Sequence, residues 1–470
     1  MNTPRKTYRP WDPDHYRRQA HSPAAQLPDG DLVFFLLDLV PHLDLHKIYA
    51  VYEDETRGAP PFDPRMMTCL LLYAYAVGVF SSRKIATACE RNLAFLAIVG
   101  DDRPDFRTVS DFRKLHLDAL ADLFTQVLKL AHAVGLVQLG AWATDGSKFP
   151  GNASRHKAMS YGYMNKEEAR LQAEIAALLR QAQQTDTAED AALGCCRGDE
   201  LPAELQFREQ RLAKIREAKG RLEQQAQQAA AAERQRRAEA AEQVRQGQRH
   251  AGGRPAKPIS DTPDAKAQTS FTDPELKIMQ QSNKGWDYGG NAQVVVDDAC
   301  QIIVACEVVI ETNDKQQAVP MATQALANLE VAGIARRRTA AGQVQKIISL
   351  EDTGYFSGAA VTGLEALGLD PYIATERQQH HVAAAEAPAL PAKATAQEAM
   401  RAKLQTARGR AVYGLRKGLV EPVFGQIKGA RGFRRFALRG LAKVRGEWQL
   451  VCLTHNLLKL WRYGCTLSAN

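Results

Sequence analysis

The chain has 470 residues, 61 Lys and Arg against 53 Asp and Glu, and a formal charge of +8; at roughly 150 residues per domain it has room for about three domains. Apolar residues make up 45% and charged residues 24%, which excludes a wholly disordered, collagen-like or disulfide-scaffold chain. The positive excess is modest, so it permits a polyanionic partner without requiring one.

The first residues, 1–27, are polar and basic and read as a flexible arm without the apolar core of a signal peptide. Residues 28–135 read as an all-helical domain, with apolar residues at 3–4 spacing through Leu32, Phe35, Leu36, Leu39 and Val40. The uncharged run 66–82 barely reaches membrane-spanning length and carries Ser, Thr and two Tyr, so a buried core helix is expected. Two short basic helices follow, one opened by Ser81-Ser82 and carrying Arg83, the other opened by Thr108 and carrying Arg113. They suit either a helix-turn-helix DNA reader or a plain bundle with solvated charges. The eight cysteines are scattered with no CxxC pair, the usage of reduced thiols in a cytosolic protein.

After Gly135 the character changes to strands. A first strand, 141–145, ends in Asp145; 290–296 and 301–310 form a hairpin through a tight turn at 297–300; a fourth strand, 346–350, ends at Glu351-Asp352; a fifth covers 371–374. Helices are expected over 314–331, 357–367 and 417–459. This is an α/β order, a mixed five-stranded sheet flanked by helices, built from 136–164 and 270–462, with 463–470 as a tail. One block interrupts it. Residues 166–249 contain 15 basic and 15 acidic residues, with Leu205, Leu212, Ile215 and Leu222 at heptad-like spacing facing Leu171, Ile175, Leu178 and Leu179. A helical hairpin or a coiled-coil arm explains that pattern. With the linker 251–268, it makes 165–269 an insertion.

Three acids stand out. Asp145 and Asp352 close strands one and four, and each is followed by glycine within two residues, which leaves room for a bulky ligand. If the two strands are neighbours, their carboxylates lie side by side and need a cation between them. Glu421 opens an apolar helix inside a stretch, 401–447, with thirteen basic residues and only one other acid, Glu447. Such a stretch fits a phosphate backbone and includes Lys417, Arg431, Arg434 and Arg435. Lys428, seven residues after Glu421, would lie two helical turns on along the same face. Hard oxygen ligands suit Mg²⁺ or Mn²⁺, and two such ions support in-line phosphoryl transfer. Glu351 is a weaker ligand because strand alternation turns it away from the face of Asp352. Glu376 is a weaker rival to Glu421.

These blocks resemble those of bacterial insertion-sequence DDE transposases. The N-terminal match runs through Pro61-Phe62-Asp63-Pro64-Arg65, Ser81-Ser82-Arg83 and Pro104-Asp105-Phe106-Arg107-Thr108-Val109-Ser110-Asp111-Phe112-Arg113. The core match is Asp145-Gly146-Ser147-Lys148, Thr272-Asp273-Pro274, Tyr288-Gly289-Gly290-Asn291-Ala292-Gln293, Asp352-Thr353-Gly354-Tyr355, Val420-Glu421-Pro422-Val423-Phe424-Gly425-Gln426-Ile427-Lys428 and Glu447-Trp448 through His455-Asn456. The resemblance implies an RNase H-like catalytic domain in which Asp145, Asp352 and Glu421 bind two Mg²⁺ or Mn²⁺ ions. It places the family's Tyr, Arg, Glu and Lys signature on Tyr413, Arg416, Glu421 and Lys428. Relatives of the type-four superfamily leave three residues between that Arg and the Glu. Here four intervene, and Lys417 holds the matching spacing. The implied activity is metal-dependent cleavage of the element's ends and strand transfer into target DNA. The implied partner is double-stranded DNA, bound by a homodimer in the cytoplasm at the nucleoid, with no membrane. No nucleotide cofactor is expected, since no GxxxxGK[ST] loop occurs. The rival readings are an inactive or domesticated DNA-binding relative, a nuclease on the same fold, and a structural coiled-coil protein.

Overall fold

The computed structural model describes residues 6–13, 22–53, 59–154, 157–193, 203–246, 257–281, 284–338, 340–376 and 394–463. They fall into two compact units. One comprises Met1–Gly151, Met279–Gly285 and Gly289–Asn470; the other comprises Asn152–Ile278 and Trp286–Tyr288.

The first unit opens with helices α1 (Leu32–Leu39), α2 (His46–Glu53), α3 (Pro64–Ala76), α4 (Ser82–Arg91), α5 (Leu93–Val99), α6 (Phe106–Leu115) and α7 (Leu117–Ala133). Asp63 caps α3 by accepting from Arg65 N, and Pro64 takes the first position, where its missing N–H costs nothing. Every residue of α3 except Arg65 is buried, so the apolar run is a core helix. No described helix is long and apolar enough to cross a membrane. Thr108 does not cap α6; Asp105 does, its carboxylate accepting from Thr108 N at 2.8 Å. The described part of the N-terminal arm is docked rather than loose. Trp11 Nε1 donates to Ile98 O at 3.0 Å, and Arg9 lies over the Phe62 ring and pairs with Asp102.

The sheet of this unit contains β1 (Ala141–Pro150), β5 (Trp286–Asp297), β6 (Ile303–Val309), β7 (Ile347–Glu351) and β8 (Leu369–Ile373), the five strands expected. A short further strand, β4 (Lys277–Gln280), adds to β5, giving the order β4-β5-β1-β7-β8 with β6 also on β5. β1 runs antiparallel to β5 and parallel to β7. Helices α10 (Ala318–Val331), α11 (Gly358–Ala366), α12 (Ala396–Gln405), α13 (Ala407–Gly425) and α14 (Leu441–Arg462) flank it. The architecture is thus the mixed α/β one of an RNase H-like domain. The expected single helix over 417–459 is broken. α13 ends in a π-helical turn at Gln426–Ala430, and Gly432 and Gly440 take positive φ of 70° and 86° in the non-helical stretch between the helices. Phe433 and Phe436 from that stretch are buried against Phe149 and Trp448, which offsets the interrupted helical hydrogen bonding.

The second unit contains the antiparallel pair β2 (Ala158–Ser160) and β3 (Gln268–Ser270) with two long helices, α8 (Tyr161–Leu193) and α9 (Ala203–Arg245). Leu171 packs with Leu212, Ile215 and Leu222, as the heptad spacing requires, and with Met164 and Ala218. The side chain of Leu205 lies outside the described residues. Equal numbers of acids and bases have a structural use here. Glu167 pairs with Arg170 and Arg211, Glu168 with Arg216 and Lys219, and Glu174 with Arg208.

Candidate active site

The parallel register of β1 on β7 pairs Ala143 with Leu350. Two residues beyond that pair in each chain segment stand Asp145, still on β1, and Asp352, one residue past the end of β7, so the register brings these carboxylates side by side. Asp352 accepts from Gly354 N at 2.8 Å and so caps the turn Thr353–Tyr355. Burial pushes Asp145 up to about 6; Arg416 pulls against this, and the charges of Asp352 and Asp314 add to it.

Arg416 reaches down from α13, its Nη1 3.2 Å from Asp145 Oδ2 and its side chain only 12% exposed. The half-buried Tyr413, one turn earlier, is its neighbour, and burial raises the phenol. The extra residue between Arg416 and Glu421 therefore puts Arg416, not Lys417, on the acids; Lys417 is exposed. Lys428 also arrives at β1. Its Nζ donates to Ser147 Oγ at 2.6 Å and lies 4.4 Å from the centre of the Phe149 ring, and burial lowers its pKa. It does so from the π-helical turn rather than from two regular turns of one helix.

Glu421 is exposed on α13. Among the described residues no three His, Cys, Asp or Glu side chains converge on one ion-sized point. The structure thus brings together two of the three expected acids with a guanidinium on one of them, while Glu421 is exposed on the helix that carries Arg416. The donor chemistry at Asp145 and Asp352 still fits a divalent cation. Two hard carboxylates adjoin, and burial disfavours the ionisation of Asp145. Glu351 points to the other face, as alternation requires. It is fully buried, accepting from Ser349 Oγ and from Thr144 Oγ1. Glu376 pairs with Arg401 away from the pair.

Two residues expected on DNA are interior instead. Arg113 is 4% exposed and donates to Tyr75 Oη and Phe80 O. Arg431 is 6% exposed and donates to Tyr75 O, Val451 O and Thr454 Oγ1. Each is enclosed by carbonyl and hydroxyl acceptors, so neither can reach a phosphate. Arg83, Arg434 and Arg435 are exposed, with Arg83 lying over the Phe106 ring.

The sequence reading missed Asp314. Its Oδ1 accepts from Asn291 Nδ2 and Gln293 Nε2, each at 2.7 Å, and Gln293 Oε1 accepts from the buried Tyr355 hydroxyl. Asn291 and Gln293 both belong to the quoted core motif, but a motif read along the chain does not show which loop its amides will hold.

Two family models match the chain. A transposase DDE domain matches residues 378–461, which include α12, α13 and α14 with Arg416, Glu421 and Lys428. A transposase domain (DUF772) matches residues 21–115, from before α1 to the end of α6. No curated protein and no solved structure matches it. With a DDE-domain segment over strand-end carboxylates and a transposase domain preceding it, the two matches support a bacterial insertion-sequence DDE transposase.

Proposed function

We propose that this transposase cuts DNA at the ends of its element and joins them to target DNA, using Asp145 and Asp352 as the centre of the reaction. The observation that carries the reading is the parallel register of β1 on β7, which sets those two carboxylates side by side beneath α13. Asp145 and Asp352 would hold divalent cations, with Glu421 brought in from α13. When bound there, divalent ions such as Mg²⁺ or Mn²⁺ would supply activation of the attacking oxygen and stabilisation of the leaving one.

The chain's own residues do the rest. Gly146 and Gly354 keep side-chain bulk away from the carboxylates. Arg416 neutralises Asp145 while DNA is absent, and is a ready phosphate ligand once displaced. Lys428, held on Ser147 beside Asp145, is placed to receive a backbone phosphate. The exposed Lys417, Arg434 and Arg435, with Arg83 on the helical domain, would follow the duplex and make its binding salt-sensitive. Water would attack the phosphodiester at the element's end with the element's 3′ oxygen as leaving group, and the freed 3′ hydroxyl would then attack a target phosphodiester in line, releasing the target's own 3′ hydroxyl. Pairing two ends calls for at least two copies of the chain, and the reading places the work at the nucleoid.

The test is a strand-transfer assay with a labelled duplex carrying the element's end and a plasmid target, in Mg²⁺ or EDTA. Asp145→Asn, Asp352→Asn and Glu421→Gln should each abolish metal-dependent joined product while leaving folding and end binding intact. Wild-type-like joining by any one variant removes that residue from the set. Cutting without joining by the wild type moves the protein to the nuclease reading.

A further inference from the structure

We infer that Gln293 and Tyr355 are positioning residues for the reaction: the bond between them ties the turn after Asp352 to β5, and so fixes Asp352 beside Asp145. The inference rests on the reading of those two acids as the reaction's centre. The ladder between their own strands stops short of them. Its last pair joins Ala143 to Leu350, and past it the strands are linked by a bond from Thr144 Oγ1 to Glu351 Oε1, long at 3.4 Å.

The strand on the other side of β1 continues further. β5 pairs with β1 beyond the level of the acids, with Val294 opposite Asp145, Gln293 opposite Gly146 and Gly289 opposite Pro150. The Gln293 side chain passes over Gly146, where a Cβ would lie 2.1 Å from its Nε2 and 2.8 Å from its Cδ. Its Oε1 accepts from the Tyr355 hydroxyl, and its Nε2 donates to Asp314 Oδ1 at 2.7 Å. Its backbone O accepts from Trp448 Nε1 of α14 at 3.1 Å. Tyr355 in turn closes on Asp352, its N donating to Asp352 O at 3.2 Å while Gly354 N donates to Asp352 Oδ1 at 2.8 Å.

The residue types suit this work. Gln293 and Tyr355 are both wholly buried. An amide carries a donor and an acceptor, so Gln293 holds a phenol and a carboxylate at once; a Glu there could not donate, and a Met could do neither. Burial and the carboxylates of Asp314, Asp145 and Asp352 hold the Tyr355 phenol well above its ordinary value. It is therefore a neutral donor that ties the turn down without adding charge beside the acids. Breaking the bond leaves a buried amide oxygen unsatisfied, which favours the one arrangement in which it is made.

Tyr355→Phe removes only the hydroxyl, and Gln293→Met removes both bonding groups at similar volume. The full-length variants would be compared by hydrogen exchange without DNA or metal, by binding to the labelled element end, and by single-turnover joining of pre-bound ends in Mg²⁺. Each should lose protection over 353–356, keep wild-type protection in β1 and β7, bind the end as the wild type does, and slow joining by on the order of 10–100-fold. The double variant should be no slower than Gln293→Met alone, because one shared bond is lost. Should Gln293→Met fail to fold, Tyr355→Phe decides alone. Unchanged protection over 353–356, or wild-type joining by Tyr355→Phe while Asp145→Asn and Asp352→Asn abolish it, overturns the positioning role alone. Protection lost throughout β1 and β7 together with end binding makes the pair structural. Wild-type joining that is absent, or indifferent to both acid variants, overturns the reading of the acids and this inference with it.

Discussion

At Glu351 the strand places a carboxylate with no exposed surface next in sequence to an acid of the site. Its Oε2 has no hydrogen-bond partner among the described residues, and burial pushes it from 4.5 up to about 7. Because the folded pKa exceeds the unfolded one, the fold retains a proton that the unfolded chain has already released. Glu351 therefore costs stability progressively as pH rises from about 4.5 to 7. The full cost is on the order of 3 kcal/mol at about 1.4 kcal/mol per unit. His116 and His455, held neutral by burial with pKa values of about 4 and about 3, act in the opposite sense, adding stability as pH rises towards 6.5. Glu351→Gln should flatten the fall in urea-denaturation stability between pH 5 and pH 8, where about 1–3 kcal/mol is at stake; an unaltered pH dependence would show that Glu351 ionises freely. At this scale Asp145 and Asp352 were legible, since a strand ending in an acid followed by glycine is a local pattern. Asp314 was not. The helix was expected to begin at 314 whereas α10 begins at Ala318, and the amides that aim the carboxylate come from a strand some twenty residues earlier.

Among elements, the segment between α13 and α14 joins the helical domain to the sheet. Gly78, just past α3, has a φ of +83°, and a Cβ there would lie 2.4 Å from Arg431 O. Arg431 answers by donating to Tyr75 O of α3 and to Val451 O and Thr454 Oγ1 of α14. Glu447 of α14 accepts from Ala437 N and Leu438 N and from Tyr75 Oη. Removing the guanidinium takes a donor from two buried carbonyls, Tyr75 and Val451, and from the Thr454 hydroxyl, so Arg431→Ala should cost roughly 2–5 kcal/mol in chemical denaturation. Arg434→Ala, a few residues on but exposed, should leave stability nearly unchanged. It should instead lower the slope of log affinity for duplex DNA against log salt by about 1. The reverse assignment of losses would show that burial misidentifies their roles. Positive charge along 401–447 was legible, but its division between interior and surface depends on where the chain turns back. Glycines at 429, 432 and 440 hint at that turn without locating it.

At the scale of the whole molecule, the buried apolar side chains of the described residues fall into separate clusters. The buried set around Leu171, Leu212, Ile215 and Leu222 shares no member with the large core of the sheet and its helices. Ile215→Ala should cost roughly 2–5 kcal/mol. It should lower hydrogen-exchange protection in α8 and α9 while protection in β1 and β7 stays as in the wild type; equal loss in both would mean that the units unfold as one. The helical hairpin was legible from heptad spacing and neutral charge, both local. The order of the sheet was not, because neighbouring β1 and β7 are separated by nearly two hundred residues. β1 and β5 are also direct partners, with Pro150 opposite Gly289 at the mouth of the ladder. Everything between them leaves and returns at adjacent points, as in a hairpin whose loop has been replaced by a whole unit. Such a socket should tolerate exchange: lengthening, shortening or replacing the intervening cassette by a reporter domain should leave the β1–β5 register intact and cost the edge strand β4. Entropy favours this too, since each doubling of the excursion adds only about 0.6 kcal/mol to the closure of the ladder.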